Sequence, residues 1–94
     1  MGTYIMLSRL TENGAETLKK NPGRAQEVNK ELEGMRVKVL QQYAVLGAYD
    51  FVNIVEAPDL MTIMRASVAM GARGSVRIET LAALPMDEFV KTVR

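Results

Sequence analysis

The chain has 94 residues, a net charge of +1, and neither cysteine nor histidine. The lack of both residue types excludes disulfides, thiol nucleophiles, Fe–S clusters, Cys-based zinc sites, histidine general bases and histidine ligation of haem or a metal. A nearly neutral charge and an aromatic content of 5% do not supply the basic field or the stacking surfaces that nucleic-acid binding requires.

These limits predict a single domain over residues 1–94 that uses no cofactor and no metal. Apolar stretches fall short of the ~20 residues that a membrane span needs. The first residues lack the basic region of a signal peptide, and Met6 stands where a myristoylation signal has Ser or Thr. We therefore expect a cytoplasmic protein that binds neither nucleic acid nor a membrane.

The first third of the chain predicts a strand and then a kinked helix. Residues 3–10 are apolar and aromatic, as in a central strand buried on both faces. Thr11 is a plausible N-cap, and Ala15 is expected to face the sheet. Asn21 and the following proline interrupt the helix and restart it, with Asn21 as the second cap. Gly34 is a stop signal. It stands near the end of a set of apolar residues that recur at helical spacing: Ala25, Val28, Leu32 and Met35.

The middle of the chain predicts a β-hairpin. Residues 37–46 and 49–56 are rich in β-branched and aromatic residues and flank a turn that contains Gly47. Alternation in the second of these strands divides it into two faces. One face carries Tyr49, Phe51, Asn53 and Val55, and the other carries Asp50, Val52, Ile54 and Glu56.

A second helix is predicted over residues 60–70, with Asp59 as its N-cap. Arg65 is its only charged residue, and apolar side chains surround most of the helix. A helix of this kind needs a second partner besides its own sheet. The alternative is that Ala66 and Ala69 simply tolerate exposure.

The last strand is predicted over residues 75–84, and Pro85 opens a short final helix. The element order is then β-α-β-β-α-β plus a tail, which predicts an α+β, ferredoxin-like fold. Its four-stranded antiparallel sheet carries both helices on one face. The other face would expose either Phe51 and Val55 or Val52 and Ile54. An exposed face of this kind can be buried against a second copy of the chain. We therefore predict a homodimer or higher homo-oligomer, formed through this sheet face and the helix at 60–70.

The segment Leu-Gly-Ala-Tyr-Asp-Phe-Val at 46–52 resembles the Gly-x-Tyr-Asp element of the GYD-domain family. The resemblance extends from Tyr-Ile-Met-Leu-Ser-Arg-Leu-Thr at 4–11 to Gly-Ser-Val-Arg-Ile-Glu-Thr-Leu at 74–81. Gly23 departs from the family pattern. The resemblance implies the dimeric α+β barrel group, which includes cofactor-free monooxygenases, haem-handling enzymes and amino-acid-sensing modules. It carries no activity over to this chain, and the missing histidine argues against the haem-ligating members.

Polar residues within these elements are the candidate ligand contacts. A pocket is predicted from polar groups in or beside buried strands: Tyr43, Tyr49, Asp50 and Asn53. Arg24 and Arg73 are candidates to hold an anion, although lone arginines more often bind water or a backbone carbonyl. The structural alternative has Asp50 bonding turn amides and Tyr49 packing at the sheet edge. Two methionines on one helix face, Met61 and Met64, are better explained as core or interface residues than as copper ligands.

Two functions follow. The first is a homo-oligomeric binding or assembly module whose inter-subunit cavity holds a small, mostly apolar molecule. The rival is a cofactor-free enzyme of the monooxygenase or isomerase type, in which Tyr, Asn or Asp only orients the substrate. Turnover of quinol-like or enediol-like compounds discriminates between the two.

Overall fold

The structure, a computed structural model, describes all 94 residues, and its elements follow the predicted order. The predicted kinked helix is two separate helices. The elements are β1 Gly2–Leu10, α1 Glu12–Lys20, α2 Arg24–Gly34, β2 Lys38–Ala44, β3 Phe51–Ala57, α3 Leu60–Ala72, β4 Val76–Ala83 and α4 Met86–Thr92.

The four strands form one antiparallel sheet in the order β2-β3-β1-β4. β1 is central, as predicted for an apolar N-terminal strand. The hairpin of β2 and β3 has an irregularity between Val39 and Gln41, where the register shifts by one residue. The α+β fold with ferredoxin-like element order is confirmed.

One face of the sheet is covered by helices and contains the core. Alternation along β1 places Tyr4, Met6 and Ser8 on this covered face, where each is less than 9% exposed. On β3 two residues of the covered face are fully buried, Val55 and Ala57. The core cluster also takes in residues of the helices and of the loop before β2: Leu32, Val37, Ile63, Ala66 and Met70.

The opposite sheet face has no helix over it. Register and alternation place Val52 and Ile54 there, which decides between the two predicted sets and assigns Phe51 and Val55 to the covered face. We call this surface the open face. Its apolar residues come from all four strands: Ile5, Leu7, Tyr43, Val52, Ile54 and Leu81.

Local details differ from the predictions around α1 and α2. Asn21 caps the C-terminus of α1 and not the N-terminus of α2, since its N–H donates to the Thr17 carbonyl at 2.9 Å and α2 begins only after Gly23. Gly14, not Ala15, is the residue of α1 that is buried.

The end of α2 is fixed by the residue that follows its C-cap. Arg36, with φ of 67°, takes the left-handed conformation there. Its position lets the Val37 N–H donate to the Leu32 carbonyl at 2.9 Å, which closes the helix end.

No helix in the structure combines the length and the apolarity needed to cross a membrane.

Candidate functional site

The loop at residues 45–50, which we call the Tyr49 loop, connects β2 to β3 and is hydrogen-bonded to β1. Gly47 has φ of 125°, a conformation that glycine adopts without strain. The Val45 N–H donates to the Asp50 carbonyl at 2.9 Å, and the Asp50 N–H donates to the Ser8 carbonyl at 2.9 Å. The Asp50 carboxylate accepts the Leu10 N–H at 2.8 Å. The Asp50 carboxylate therefore bonds an amide of the neighbouring strand, whereas within its own turn Asp50 accepts the Val45 N–H through its backbone carbonyl.

Tyr49 lies on the open-face side of the sheet. Its hydroxyl donates to the Glu79 carboxylate, and the Arg9 guanidinium lies 5.1 Å from the centre of its ring. The hydrogen bond to Glu79 raises the pKa of Tyr49, because the bond requires the protonated hydroxyl as its donor. Glu79 therefore accepts the hydrogen bond of Tyr49 on the open-face side of the sheet.

A cavity of about 110 Å³ lies on the covered side of the sheet, beneath α1 and α2. The core cluster contains no residue of α1, so the space under that helix is incompletely filled. Most of the lining is apolar. The apolar lining residues are Met6, Leu10, Leu18, Ala25, Val28, Leu32, Phe51, Met70, Val76 and Ile78.

Three polar side chains of the sheet line this apolar space, and one of them, Gln42, is already hydrogen-bonded to Asn29. The Oδ1 atom of Asn53 is buried and has no hydrogen-bond partner. Ser8, which also lines the cavity, is 7% exposed. A buried acceptor without a partner is uncommon in a folded protein, and it identifies this wall as the part of the cavity able to recognise a polar group.

Two arginines of the cavity lining meet at one glutamate. Arg24, at the start of α2, lies 3.0 Å from Glu27 and 3.5 Å from Glu31. Arg73, from the turn after α3, pairs with the other carboxylate oxygen of Glu31. Each of the four side chains keeps a third or more of its surface in water, so these ion pairs are partly screened. Both predicted arginines thus line the same cavity, and both already have carboxylate partners.

The predicted pocket residues do not converge on one place. Asn53 lines the cavity, whereas Tyr43 is 51% exposed on the open face and Tyr49 also lies on that side of the sheet. Asp50 bonds the backbone of β1. Sequence reasoning missed Ser8, although its alternation with Tyr4 and Met6 was a signal that it shares their buried face.

A second surface lies on α3, outside the cavity. Ile63, Ala66 and Met70 pack into the core, so the alternative of exposed small alanines does not describe this helix. Large apolar residues are exposed instead, at 58–73% of their surface. We call them the α3 stripe: Leu60, Met61, Met64 and Val68.

The N-terminus of α3 is fixed by its predicted cap. The Asp59 carboxylate accepts the Thr62 N–H at 2.8 Å. The hydrogen bonds from the Thr62 side chain and backbone lower the pKa of Asp59, because they favour the charged form. The cap holds the α3 stripe in its orientation at the surface.

No group of three His, Cys, Asp or Glu residues in the structure is arranged to hold a metal ion.

Comparisons with known proteins agree on the fold and provide one relative whose name describes a role. The chain is 53% identical, over the full length of both proteins, to the glutamine synthetase and cystathionine beta-lyase binding protein of Thermus thermophilus. A crystal structure of another Thermus thermophilus protein matches 90% of this chain and 95% of its own, with 25% identity and a TM-score of 0.53. The crystal structure of FFRP-DM1 matches 89% of this chain and all of its own, with 23% identity and a TM-score of 0.54, and so supports the fold alone.

Nearly the whole chain matches one protein family. The GYD domain matches residues 4–93, which include the Tyr49 loop, all four helices and nearly all of the sheet. The chain belongs to the GYD-domain family.

Proposed function

We propose that this protein is a homo-oligomeric binding module that attaches to other proteins, with enzymes of the kind cited in its relative's name as the partners. The open face is the observation that carries the proposal. Its apolar centre is formed by neighbours across β1, β3 and β4, where Ile5 pairs with both Ile54 and Leu81. Burying a Val, Leu or Ile side chain contributes about 1.5–3 kcal/mol, so leaving this surface in water is costly.

A second copy of the chain is the proposed occupant of the open face. A two-fold axis brings an apolar patch onto itself, and the rim of this patch carries charges of both signs. Arg9 of β1 and Arg77 of β4 are opposite each other in the strand register, and Glu79 lies two residues from Arg77. Glu56 and Lys38 pair at the other end of the sheet. The mixed rim lets two identical faces meet without net repulsion.

The α3 stripe is the proposed attachment surface for the partner enzyme. α3 lies on the covered side of the sheet, so a dimer formed through the open faces leaves the stripe in water. Two of its four residues are methionines, whose flexible side chains suit a surface that must fit more than one protein. The relative's name, which cites two different enzymes, supports this choice. The sequence-based prediction that α3 belongs to the oligomer interface becomes the rival assignment.

Light scattering tests self-association. The expected mass is at least twice the 10.4 kDa of one chain at micromolar concentration. Ile54→Lys should reduce it to that of one chain, because it places an unpaired charge in the centre of the buried face. Gln26→Lys, on the exposed side of α2, is the matched control and should leave the mass unchanged. A parent protein that is a monomer would contradict the proposal.

Partner binding is tested with purified glutamine synthetase and cystathionine beta-lyase from the source of the chain. Immobilised parent protein should retain at least one of them. Met64→Glu should abolish retention while the oligomer persists, and Gln26→Glu adds the same charge away from the stripe as a control. Loss of the oligomer in Met64→Glu would return α3 to the oligomer interface. Failure of the parent to retain either enzyme would overturn the proposed partners.

The cavity favours a second, compatible function, which is to hold a small and mostly apolar molecule. The observation behind it is the apolar lining around the unpartnered Asn53 Oδ1. Native mass spectrometry of the purified oligomer tests it, with a retained mass expected. The rival hypothesis of a cofactor-free enzyme stays a prediction, to be tested by turnover of quinol-like or enediol-like compounds.

A further inference from the structure

We infer that the cavity beneath α1 and α2 is a site for a small uncharged molecule with an apolar body and one amide or hydroxyl head group, which Asn53 recognises. The inference rests on the second proposed function and specifies the chemistry of its ligand. It assigns no role to the open face or to the α3 stripe.

The volume limits the size of the ligand. An engineered apolar cavity of about 150 Å³ holds benzene, so the 110 Å³ found here suits a body of about four to six heavy atoms. Gly14 of α1 and Ala25 of α2 contribute little side-chain volume to the wall. A branched aliphatic group therefore fits better than a long chain.

The head group follows from the polar atoms of the wall. The Asn53 side chain makes no hydrogen bond to the protein, and its Oδ1 is buried. Met6 pairs with Asn53 across the two strands, and Ser8 lies two residues further along β1 on the same face. A carboxamide offers both donors and an acceptor, so a ligand amide or hydroxyl matches it whichever way the Asn53 amide is turned.

The charges around the cavity argue for a neutral ligand. Arg24 and Arg73 are the two cations of the lining, and Glu27 and Glu31 are their partners. The four formal charges cancel. An incoming carboxylate would have to displace Glu27 or Glu31 to reach a guanidinium. The anion contacts predicted for the two arginines are therefore the main rival outcome.

The hydrogen bonds that attach α1 to the rest of the chain indicate where a ligand enters the cavity. The long-range hydrogen bonds of this helix come from Thr11, whose N–H donates to the Ser75 carbonyl at 3.0 Å and whose hydroxyl donates to the Gly74 carbonyl at 2.6 Å. Both lie at its N-terminal end. Its C-terminal end continues into the Asn-Pro-Gly segment at 21–23, and the salt bridge of Lys20 there is with Glu16 of the same helix. The ligand is expected to enter beneath this C-terminal end.

The test is an NMR titration of the intact oligomer with isobutyramide, sodium isobutyrate and benzene. Isobutyramide should bind saturably and shift the side-chain amide signals of Asn53 together with the methyl signals of Val28 and Ile78. Benzene and isobutyrate should bind with affinities at least about tenfold lower than that of isobutyramide, since each lacks the matched neutral head group.

Asn53→Leu separates recognition from folding. It removes the buried unpartnered acceptor, so it should raise the melting temperature while weakening isobutyramide binding about tenfold. Ala25→Leu fills the cavity and should also reduce binding, whereas the exposed Gln26→Leu should not. A variant Asn53→Leu that is less stable than the parent but still binds isobutyramide equally well would overturn the inference.

Each of three other outcomes would overturn the inference. Equal binding of benzene and isobutyramide would leave an apolar pocket without a head-group site, which refutes this inference and keeps the second proposed function. Tighter binding of isobutyrate that is lost in Arg73→Gln would establish an anion site instead. No shift with any of the three compounds would overturn both the inference and the proposal that the cavity holds small molecules.

Discussion

Replacement of Gly14 by alanine should destabilise the protein, although alanine is the better helix former. A Cβ built at Gly14 overlaps the carbonyl oxygen of Ser75 and lies 2.8 Å from its carbonyl carbon. Both groups are backbone, so neither a side-chain rotation nor a small shift relieves the overlap. The helix must move away from the turn before β4, which breaks the bond from the Thr11 N–H to the Ser75 carbonyl. Overpacking of about 1–3 kcal/mol and a lost hydrogen bond of about 1 kcal/mol then outweigh the gain in helix propensity.

Gly34→Ala is the matched control for that experiment. Gly34 is also helical and exposed, and nothing lies within 4 Å of an added Cβ. Alanine there should stabilise the protein by about 0.5–1 kcal/mol. The two variants should thus differ by about 2–4 kcal/mol in urea unfolding, at one protein concentration because the oligomer couples to stability. If Gly14→Ala unfolds at the same urea concentration as Gly34→Ala, the packing of α1 on the turn at Ser75 is wrong.

Three further changes test the loop and the cap of α3. Asp50→Ala should lower the free energy of unfolding by about 1–3 kcal/mol, because it leaves the Leu10 N–H without its acceptor, whereas Tyr49→Phe should unfold close to the parent in urea. The pKa of Asp59 is lower in the folded protein than in the unfolded chain, so its charged carboxylate stabilises the fold at pH values above the unfolded pKa of about 4. Calorimetry should therefore find that stability falls as the pH drops below about 4 and this carboxylate becomes protonated. Asp59→Asn keeps a good cap and should flatten that acid limb, and an unchanged limb would place the effect elsewhere.

The fold was predictable because its strongest signals are local. The apolar alternation of β1, the Gly47 turn and the Asp59 cap each require one conformation within a few residues. Predictions failed where a distant group decided the outcome. The burial of Gly14 in place of Ala15 is fixed by Ser75, which lies far away in the sequence.

The site was less predictable because strand register, and not polarity, decides which side of the sheet a residue faces. Tyr49 and Asp50 were grouped with Tyr43 and Asn53 on the ground that all four are polar near buried strands. The register separates them, since Tyr43 pairs with Val52 on the open face and Asn53 with Met6 on the covered face. A face assignment depends on where a strand begins, and a shift of one residue exchanges the two faces.

The Gly-x-Tyr-Asp element is best understood as a structural connection between the hairpin and the other two strands. Asp50 bonds an amide of β1 from within the sheet, and Tyr49 reaches Glu79 of β4 across the open-face side. Together they connect the hairpin to both of the other strands at one end of the sheet. That connection fixes the register that exposes Val52 and Ile54 and directs Asn53 into the cavity. We therefore expect Asp50→Ala to change the proposed self-association and the proposed ligand binding together.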